Sequence, residues 1–220
     1  NMEMKMEYFD HCFIEGDTLE TSDVVNGGAE LFLYQSGYLT IKGYDDGVYI
    51  LGFPNFEVRK ALYRVVVPAL TMKSNSEVVS AQSFLRKMMQ DGNTAEAKKA
   101  LKALIADVPY SNKKMASMDM EERYRLIMST IFRALGFRVE VERMLATGRI
   151  DMIVEVPSII YVLELKLSNN GGISAAESQI KEKSYTEPFK ADKRKVIALA
   201  VELDETGKGL IDWKEVDESL

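Results

Sequence analysis

The pattern of apolar and polar residues divides the chain into alternating helical and extended segments. For the first half, it predicts a helix at 26–37, a hairpin at 38–53 and helices at 55–70, 76–92 and 94–108. Asp46-Gly47 is expected to form the turn of the hairpin, because this dipeptide favours tight two-residue turns. The third segment is expected to end near Pro68, since proline disrupts helical hydrogen bonding.

The second half begins with an amphipathic helix that carries clear end signals. Asp119 is a suitable N-cap, Glu122 follows three residues later, and Gly136 is expected to end the helix. The following pattern predicts strands at 137–144, 149–156 and 159–167, a loop at 168–174, a helix at 175–189 and a strand at 195–203. The polar stretch at 110–119 separates two expected domains, 1–110 and 111–220, in a chain of α+β class.

Composition restricts the chemistry that this chain can perform. Its 220 residues are 46% hydrophobic, which is enough for one large domain or two small ones. One cysteine, Cys12, and one histidine, His11, exclude an intramolecular disulfide and a Cys/His zinc site, and both are expected to be structural. A reducing compartment, and therefore the cytoplasm, is expected. Any catalysis should depend on carboxylates, lysine and a hard metal ion.

Charge and hydropathy give few clues to the partners. The net charge is −6, and residues 111–220 carry 17 basic against 19 acidic side chains, so no strongly basic surface is evident. No apolar run is long enough for a membrane span, and the first ten residues do not resemble a signal peptide. Residue 1 is asparagine, so the chain is a processed product, a tagged protein or a fragment of a longer one, and these alternatives stay open.

Two neighbouring predicted strands carry polar residues at chemically suggestive positions. Residues two apart share one face of a strand, so Glu164 and Lys166 point to the same side. Asp151 interrupts an apolar run in the preceding strand, where an ionised carboxylate is costly without a cation or hydrogen-bond donors. If the two strands pair, Asp151 and Glu164 converge, and a divalent cation relieves their repulsion. Taken alone, the Glu-x-Lys sequence is more typical of an ordinary ion pair.

The wider pattern resembles the PD-(D/E)XK nuclease superfamily. GRID at 148–151 and ELK at 164–166, in a helix–strand–strand–strand–helix–strand order, are similar to its signature. A closer resemblance is to a branch that follows a AAA-ATPase-like domain, and it covers roughly residues 115–215. The matching segments are E-x-x-Y at 121–124, LGF at 135–137, VEVE at 139–142, GRIDMIV at 148–154, YVLELKL at 161–167, QIKEKSY at 179–185 and DW at 212–213.

The resemblance implies roles for the central residues. Asp151 and Glu164 would bind Mg²⁺ or Mn²⁺ through their carboxylates, and the backbone carbonyl of Leu165 would add a third oxygen. Lys166 would orient or help to deprotonate the attacking water and stabilise charge in the transition state. The implied substrate is nucleic acid, and we expect DNA. A structural cluster that binds no metal is the alternative.

Other matches to the family pattern have equally plausible structural roles. Glu121 would be the helix glutamate of the family, or an acid favoured by the helix dipole in the first turn. Gln179 and Tyr185 would contact phosphate or support the active-site face. Lys183 is a weaker candidate. Arg149 shares the strand face of Asp151 and would pair with an acid or a phosphate, and Glu142 would be a supporting acid or an ordinary strand charge.

The first half resembles the C-terminal end of the AAA-ATPase-like domain. The residues that carry this resemblance are LFLYQSGYLTIKGYD and YILGFPNFEVRKAL, within 31–62. No G-x-x-x-x-G-K-[ST] motif occurs, so this chain holds no complete phosphate-binding loop. The helix–hairpin–helix order suggests a winged-helix-like unit, which would serve packing or, alternatively, DNA contact.

Three functions are therefore compatible with the sequence. The expected one is divalent-metal-dependent hydrolysis of DNA. The alternatives are a nuclease fold with weak or no catalysis that acts as an interaction module with a AAA-ATPase-like domain, and a regulatory winged-helix unit of that ATPase.

Overall fold

The structure, a computed structural model, describes residues 6–20, 28–71, 73–106 and 119–217. It contains two compact units that divide between Tyr63 and Arg64. The domain boundary predicted near residue 110 lies outside the described residues. The α+β class is confirmed, since both units combine helices with a sheet. Within the described residues, no helix is long and apolar enough to cross a membrane.

The first unit is built on a three-stranded antiparallel sheet. Its elements are β1 (Cys12–Glu15), α1 (Gly16–Glu20), α2 (Gly28–Gln35), β2 (Thr40–Asp45), β3 (Val48–Gly52) and the start of α3 (Phe56–Thr71). The strand order is β1-β3-β2. Asp46 and Gly47 both have positive φ, as a tight hairpin turn requires, so the predicted hairpin is confirmed. Cys12 is fully buried, and burial followed by the charge of Glu30 raises the pKa of its thiol to about 11.

The prediction that the third segment ends near Pro68 is wrong. Helix α3 continues to Thr71 with the proline inside it. Val67 and Thr71 lie one turn apart and are both buried, and the Thr71 hydroxyl donates to the Val67 carbonyl at 2.9 Å. The free energy gained by burying this face therefore exceeds the cost of the backbone hydrogen bond that proline cannot make.

The second unit is built on a five-stranded mixed sheet. Its elements are α4 (Asn75–Asp91), α5 (Thr94–Ile105), α6 (Met120–Ala134), β4 (Arg138–Leu145), β5 (Gly148–Glu155), β6 (Ile159–Leu167), α7 (Gly172–Lys183), β7 (Lys195–Leu203) and β8 (Leu210–Val216). The strand order is β4-β5-β6-β7-β8, in which β6 and β7 are parallel and the other neighbours antiparallel. Helix α7 forms the crossover that a parallel pair needs.

Apolar side chains of α7 pack on one face of this sheet. The buried cluster comprises Ile150, Ile153, Ile160, Val162, Ala176, Ile180, Tyr185, Phe189, Ala198, Ala200 and Val216. Residues of the opposite face of β6, including Leu163 and Leu165, are also fully buried. Both faces of β6 are thus covered, which explains the almost continuous apolar run in its sequence.

Helices α4 and α5, which the sequence placed in the first domain, belong to the second unit. The Tyr161 hydroxyl of β6 donates to the Met89 carbonyl of α4 at 2.6 Å. The Trp213 indole of β8 donates to the Thr94 carbonyl of α5 at 2.9 Å. These contacts link residues about 70 to 120 positions apart in the chain, so local periodicity could not reveal them.

Two further features of the second unit differ from the predictions. The expected loop at 168–174 is short, since a 3-10 turn at Ser168–Asn170 leads directly into α7 at Gly172. Strand β8 was not predicted, because its buried residues Leu210, Trp213 and Val216 recur every third position instead of alternating.

Candidate active site

The site is centred on two carboxylates of adjacent antiparallel strands. The β5–β6 ladder ends with the pair Met152–Leu163, so Asp151 and Glu164 follow where regular pairing stops. The Asp151 carboxylate accepts a hydrogen bond from the backbone N–H of Leu165 at 2.9 Å. A side chain therefore takes the place of a strand partner, which fixes Asp151 beside the segment that carries Glu164 and Lys166.

Glu164 has an incompletely satisfied carboxylate. It is 0% exposed, and its Oε1 atom accepts from the Lys166 ammonium at 2.7 Å. Its Oε2 atom is buried and has no hydrogen-bond partner among the described residues. Burial, followed by the negative charge of Asp151, raises the pKa of Glu164 to about 8, although Lys166 opposes this shift. A hydrogen bond that protonated Glu164 shares with Asp151 raises the pKa as well. The buried pair of carboxylates thus disfavours full ionisation unless a cation joins it.

Lys166 is the solvent-reachable member of the cluster. Its side chain is 20% exposed. Burial alone lowers its pKa, but the hydrogen bond to Glu164 and the charges of Glu164, Asp151 and Glu121 outweigh burial and raise the pKa above its ordinary value. Lys166 is therefore a charged ammonium at neutral pH, suited to donating hydrogen bonds to an anion.

Glu121 lies within electrostatic reach of the same cluster. It stands in the first turn of α6, where the Asp119 side chain accepts hydrogen bonds from the amides of Glu121 and Glu122, as the predicted N-cap requires. Burial and then the charge of Asp151 raise the pKa of Glu121, while Lys166 and Arg125 lower it. Glu121 thus lies within electrostatic range of Asp151 and Lys166, and its role at the site stays a prediction.

Gln179 and Tyr185 contact each other and the backbone of β5. The Gln179 amide donates to the Tyr185 hydroxyl at 3.0 Å, and this hydroxyl donates to the Arg149 carbonyl at 2.7 Å. Tyr185 is buried, and a Cβ atom on Gly148 would lie 3.1 Å from its hydroxyl. These contacts hold the start of β5, two residues before Asp151, in place.

The weaker sequence candidates occupy the edge of the site. Lys183 is exposed, and its backbone carbonyl accepts from the Thr147 hydroxyl at 2.9 Å. Glu142 and Arg149 form an ion pair at 2.9 Å. Arg125 of α6 also binds Glu142, at 2.5 Å, and sequence reasoning missed this arginine because the contact depends on how α6 packs on β4.

The donor set fits a hard divalent cation. No cluster of three or more His, Cys, Asp and Glu side chains suited to a metal occurs within the described residues. Mg²⁺ commonly uses one or two carboxylates and completes its shell with water and substrate phosphate. The pair Asp151 and Glu164, with one buried oxygen that lacks a hydrogen bond, matches that requirement.

Comparisons with known proteins agree with this geometry. Residues 119–213 match the model of a family described as the PD-(D/E)XK nuclease superfamily, which supports the superfamily predicted from the sequence. A protein of Azotobacter chroococcum mcd 1, named "Uncharacterized protein in vnfD 5'region", is 26% identical over 216 residues. The alignment covers 92% of this chain but 40% of the relative, so the chain spans less than half of that protein. No solved structure matches the chain. Neither match shows the AAA-ATPase-like or winged-helix-like assignment of the first half.

Proposed function

We propose that the second unit is a divalent-metal-dependent nuclease that hydrolyses phosphodiester bonds in DNA. The observation that carries the proposal is the arrangement of Asp151, Glu164 and Lys166 at the point where β5 and β6 stop pairing. Two carboxylates are buried side by side, and one oxygen of Glu164 is buried without a hydrogen bond from any residue that the structure describes. A nucleic-acid substrate agrees with the family match over residues 119–213.

In this proposal, the carboxylates bind the metal ion and Lys166 stabilises negative charge. Asp151 and Glu164, with the Leu165 carbonyl, would hold Mg²⁺ or Mn²⁺. The ion would supply a Lewis acid for the phosphoryl oxygen and lower the pKa of a bound water. Lys166, as a charged ammonium, would orient the water and donate to the negative charge that develops on the phosphoryl group. Its raised pKa favours this role over that of a general base.

The remaining predicted residues would support this centre. Glu121 would be an additional acid at the cluster, where its carboxylate senses Asp151 and Lys166. Gln179 and Tyr185 would act as positioning residues, because their hydrogen bonds end on the β5 backbone. A substitution there should therefore change the placement of Asp151 more than any direct contact with DNA.

We further propose that the first half is the C-terminal remnant of a AAA-ATPase-like domain with a winged-helix-like arrangement. The β1-β3-β2 order and the hairpin between β2 and β3 support this arrangement. The net charge of −6 favours the second candidate function, a nuclease fold that acts as an interaction module with such a domain and has weak or no catalysis.

Plasmid nicking and Mn²⁺ calorimetry on a small set of variants test the nuclease. Asp151→Asn and Glu164→Gln should lose both metal binding and cutting, because they remove carboxylate ligands. Lys166→Ala should bind metal but cut at least ~100-fold more slowly, since its interaction is made mainly in the transition state. Lys195→Ala removes an exposed lysine at the start of β7 and is the matched control, with no expected change.

The two candidate functions give different results with the wild-type protein. A nuclease binds Mn²⁺ and converts supercoiled plasmid to nicked circles. Wild-type protein that binds no metal and leaves the plasmid intact with every divalent ion tried refutes the nuclease and favours the interaction module. Cutting that survives Glu164→Gln would point to a contaminating enzyme.

A further inference from the structure

Beside the carboxylate pair, two arginines converge on one oxygen atom. The Oε1 atom of Glu142 in β4 contacts Arg125 of α6 at 2.5 Å and Arg149 of β5 at 2.9 Å. Arg125 also approaches Glu121 at 3.7 Å. Two guanidinium groups that contact a single anionic oxygen resemble the arrangement in which arginines hydrogen-bond to a phosphate oxygen.

Arg125 is an unusual residue to bury at this position. It is 9% exposed, and its Nε atom is buried without a hydrogen-bond partner among the described residues. A buried guanidinium normally uses its donors, because an unsatisfied one loses the hydrogen bonds that water gave it. This unused donor belongs to the same guanidinium group whose Nη1 atom contacts Glu142, and a larger anion with more acceptor oxygens could use both.

Glu142 holds its place in a strained backbone conformation. Its φ is 53°, in the left-handed region that side chains other than glycine rarely adopt. The β4–β5 ladder pairs Val141 with Met152 and Arg143 with Ile150 and skips Glu142, which lies across from Asp151. Strain of this kind clusters at sites where a segment changes conformation on binding a ligand.

We propose that Arg125 and Arg149 form a binding site for a backbone phosphate of DNA adjoining the Asp151–Glu164 pair, and that Glu142 occupies this site in the free protein. The inference rests on the proposed nuclease function and names how that site receives its substrate. A phosphodiester carries one negative charge, as Glu142 does, so exchange preserves the charge balance around the arginines. Departure of Glu142 would also allow its backbone to leave the left-handed region.

The exchange explains how an acidic protein could bind DNA locally. Arg149 has a side chain that is 48% exposed and can meet a phosphate first. Arg125, with an 11% exposed side chain, becomes reachable when Glu142 moves away. The site would then be selective for a phosphate that arrives next to the catalytic carboxylates, without a broadly basic surface.

Fluorescence anisotropy with a short labelled DNA duplex in EDTA measures this site without cutting. We expect Glu142→Gln to bind about 5- to 10-fold more tightly, because it removes the competing charge, and Arg149→Gln to bind about 10-fold more weakly. Arg149→Gln should also reduce the slope of log affinity against log salt by about one, as the loss of one phosphate contact requires. The double variant should lose the gain made by Glu142→Gln.

Matched controls come from the same strand, β4. Glu140→Gln and Arg138→Gln make the same charge changes in ion pairs with Arg143 and Glu155, whose separations of 3.5 and 3.6 Å are longer than that of Arg149 and Glu142. Both should change the affinity by less than about 2-fold, because rim charges act through weak, screened interactions. Circular dichroism of each variant checks that the fold is retained.

The outcomes separate this inference from the nuclease function. If Glu140→Gln and Glu142→Gln raise affinity equally, or Arg149→Gln does not lower it, the phosphate site is refuted even when wild-type protein cuts DNA. If the affinities change as expected but no divalent ion supports cutting, the phosphate site stands and the nuclease fails.

Discussion

Glu164→Gln should stabilise the metal-free protein at alkaline pH and leave it unchanged in weak acid. Glu164 has an ordinary pKa of 4.5 and a pKa of about 8 in the folded protein, raised first by burial and then by Asp151. The folded state binds the proton of the Glu164 carboxyl group more tightly than the unfolded chain does. The stability that this proton contributes is therefore fully present below pH 4.5. It is lost as pH rises through about 8.

The size of the effect follows from the distance between these two pKa values. Each pH unit corresponds to about 1.4 kcal/mol, so the loss is at most about 5 kcal/mol. Water entry and side-chain relaxation reduce such a value in a real protein, and we expect about 2–3 kcal/mol at pH ~8.5. Glutamine keeps the carbonyl that accepts from Lys166 and carries no charge, so it should avoid most of this loss.

Urea unfolding in EDTA, at about pH 4.5 and about pH 8.5, measures this difference in the free energy of unfolding. Glu177→Gln provides a control of opposite sign. Hydrogen bonds from Lys214 and Lys181 lower the pKa of Glu177 to about 2, so its contribution is present above pH 4.5 and this variant should lose stability there. The reasoning is refuted if the difference in unfolding free energy between Glu164→Gln and wild type is the same at both pH values.

Three further predictions concern the second unit and the chain as a whole. Tyr161→Phe should lower the unfolding free energy by about 0.5–1.5 kcal/mol in urea titrations, because the Met89 carbonyl loses its 2.6 Å hydrogen bond and keeps the 3.4 Å one from the Gly92 amide. Gly172→Ala should lower the midpoint temperature of thermal unfolding, because the φ of residue 172 is +50°. A Cβ atom there would also lie 2.5 Å from the Glu202 carboxyl group, which accepts a hydrogen bond from the amide of Ile173 in α7. Purified protein should show no ATP turnover in a phosphate-release assay, since the chain holds no phosphate-binding loop.

The central strands of the second unit could be predicted because their information is local. Alternation along β6 places Glu164 and Lys166 on one face, and the short connection to β5 brings Asp151 beside them. The structure shows this juxtaposition, with hydrogen bonds from Leu165 to Asp151 and from Lys166 to Glu164. The catalytic and metal-binding roles remain predictions.

Contacts between distant segments could not be predicted in this way. Helix α5 contacts β8 through the Trp213–Thr94 hydrogen bond and the Lys98–Asp212 ion pair, whose residues are 119 and 114 positions apart. Likewise, nothing in the spacing of Arg125, Glu142 and Arg149 indicates that both arginines contact Glu142, or that Glu142 adopts a left-handed backbone. The contacts between these segments depend on tertiary packing, and the conformation of Glu142 depends on backbone strain. Neither leaves a periodic signal in the sequence.

The two buried carboxylates are stabilised unequally, and this inequality bears on the proposed metal site. Asp151 receives a backbone amide, a neutral donor that a bound cation need not displace. Glu164 receives the flexible Lys166 ammonium on one oxygen, and its other oxygen is buried without a hydrogen-bond donor in the described part of the chain. Lys166 can swing towards solvent or substrate, whereas the Leu165 amide is fixed in β6. In the proposed metal site, Asp151 would therefore be the rigidly held ligand, whereas Glu164 would be the ligand whose present partner, Lys166, is free to turn towards a phosphate.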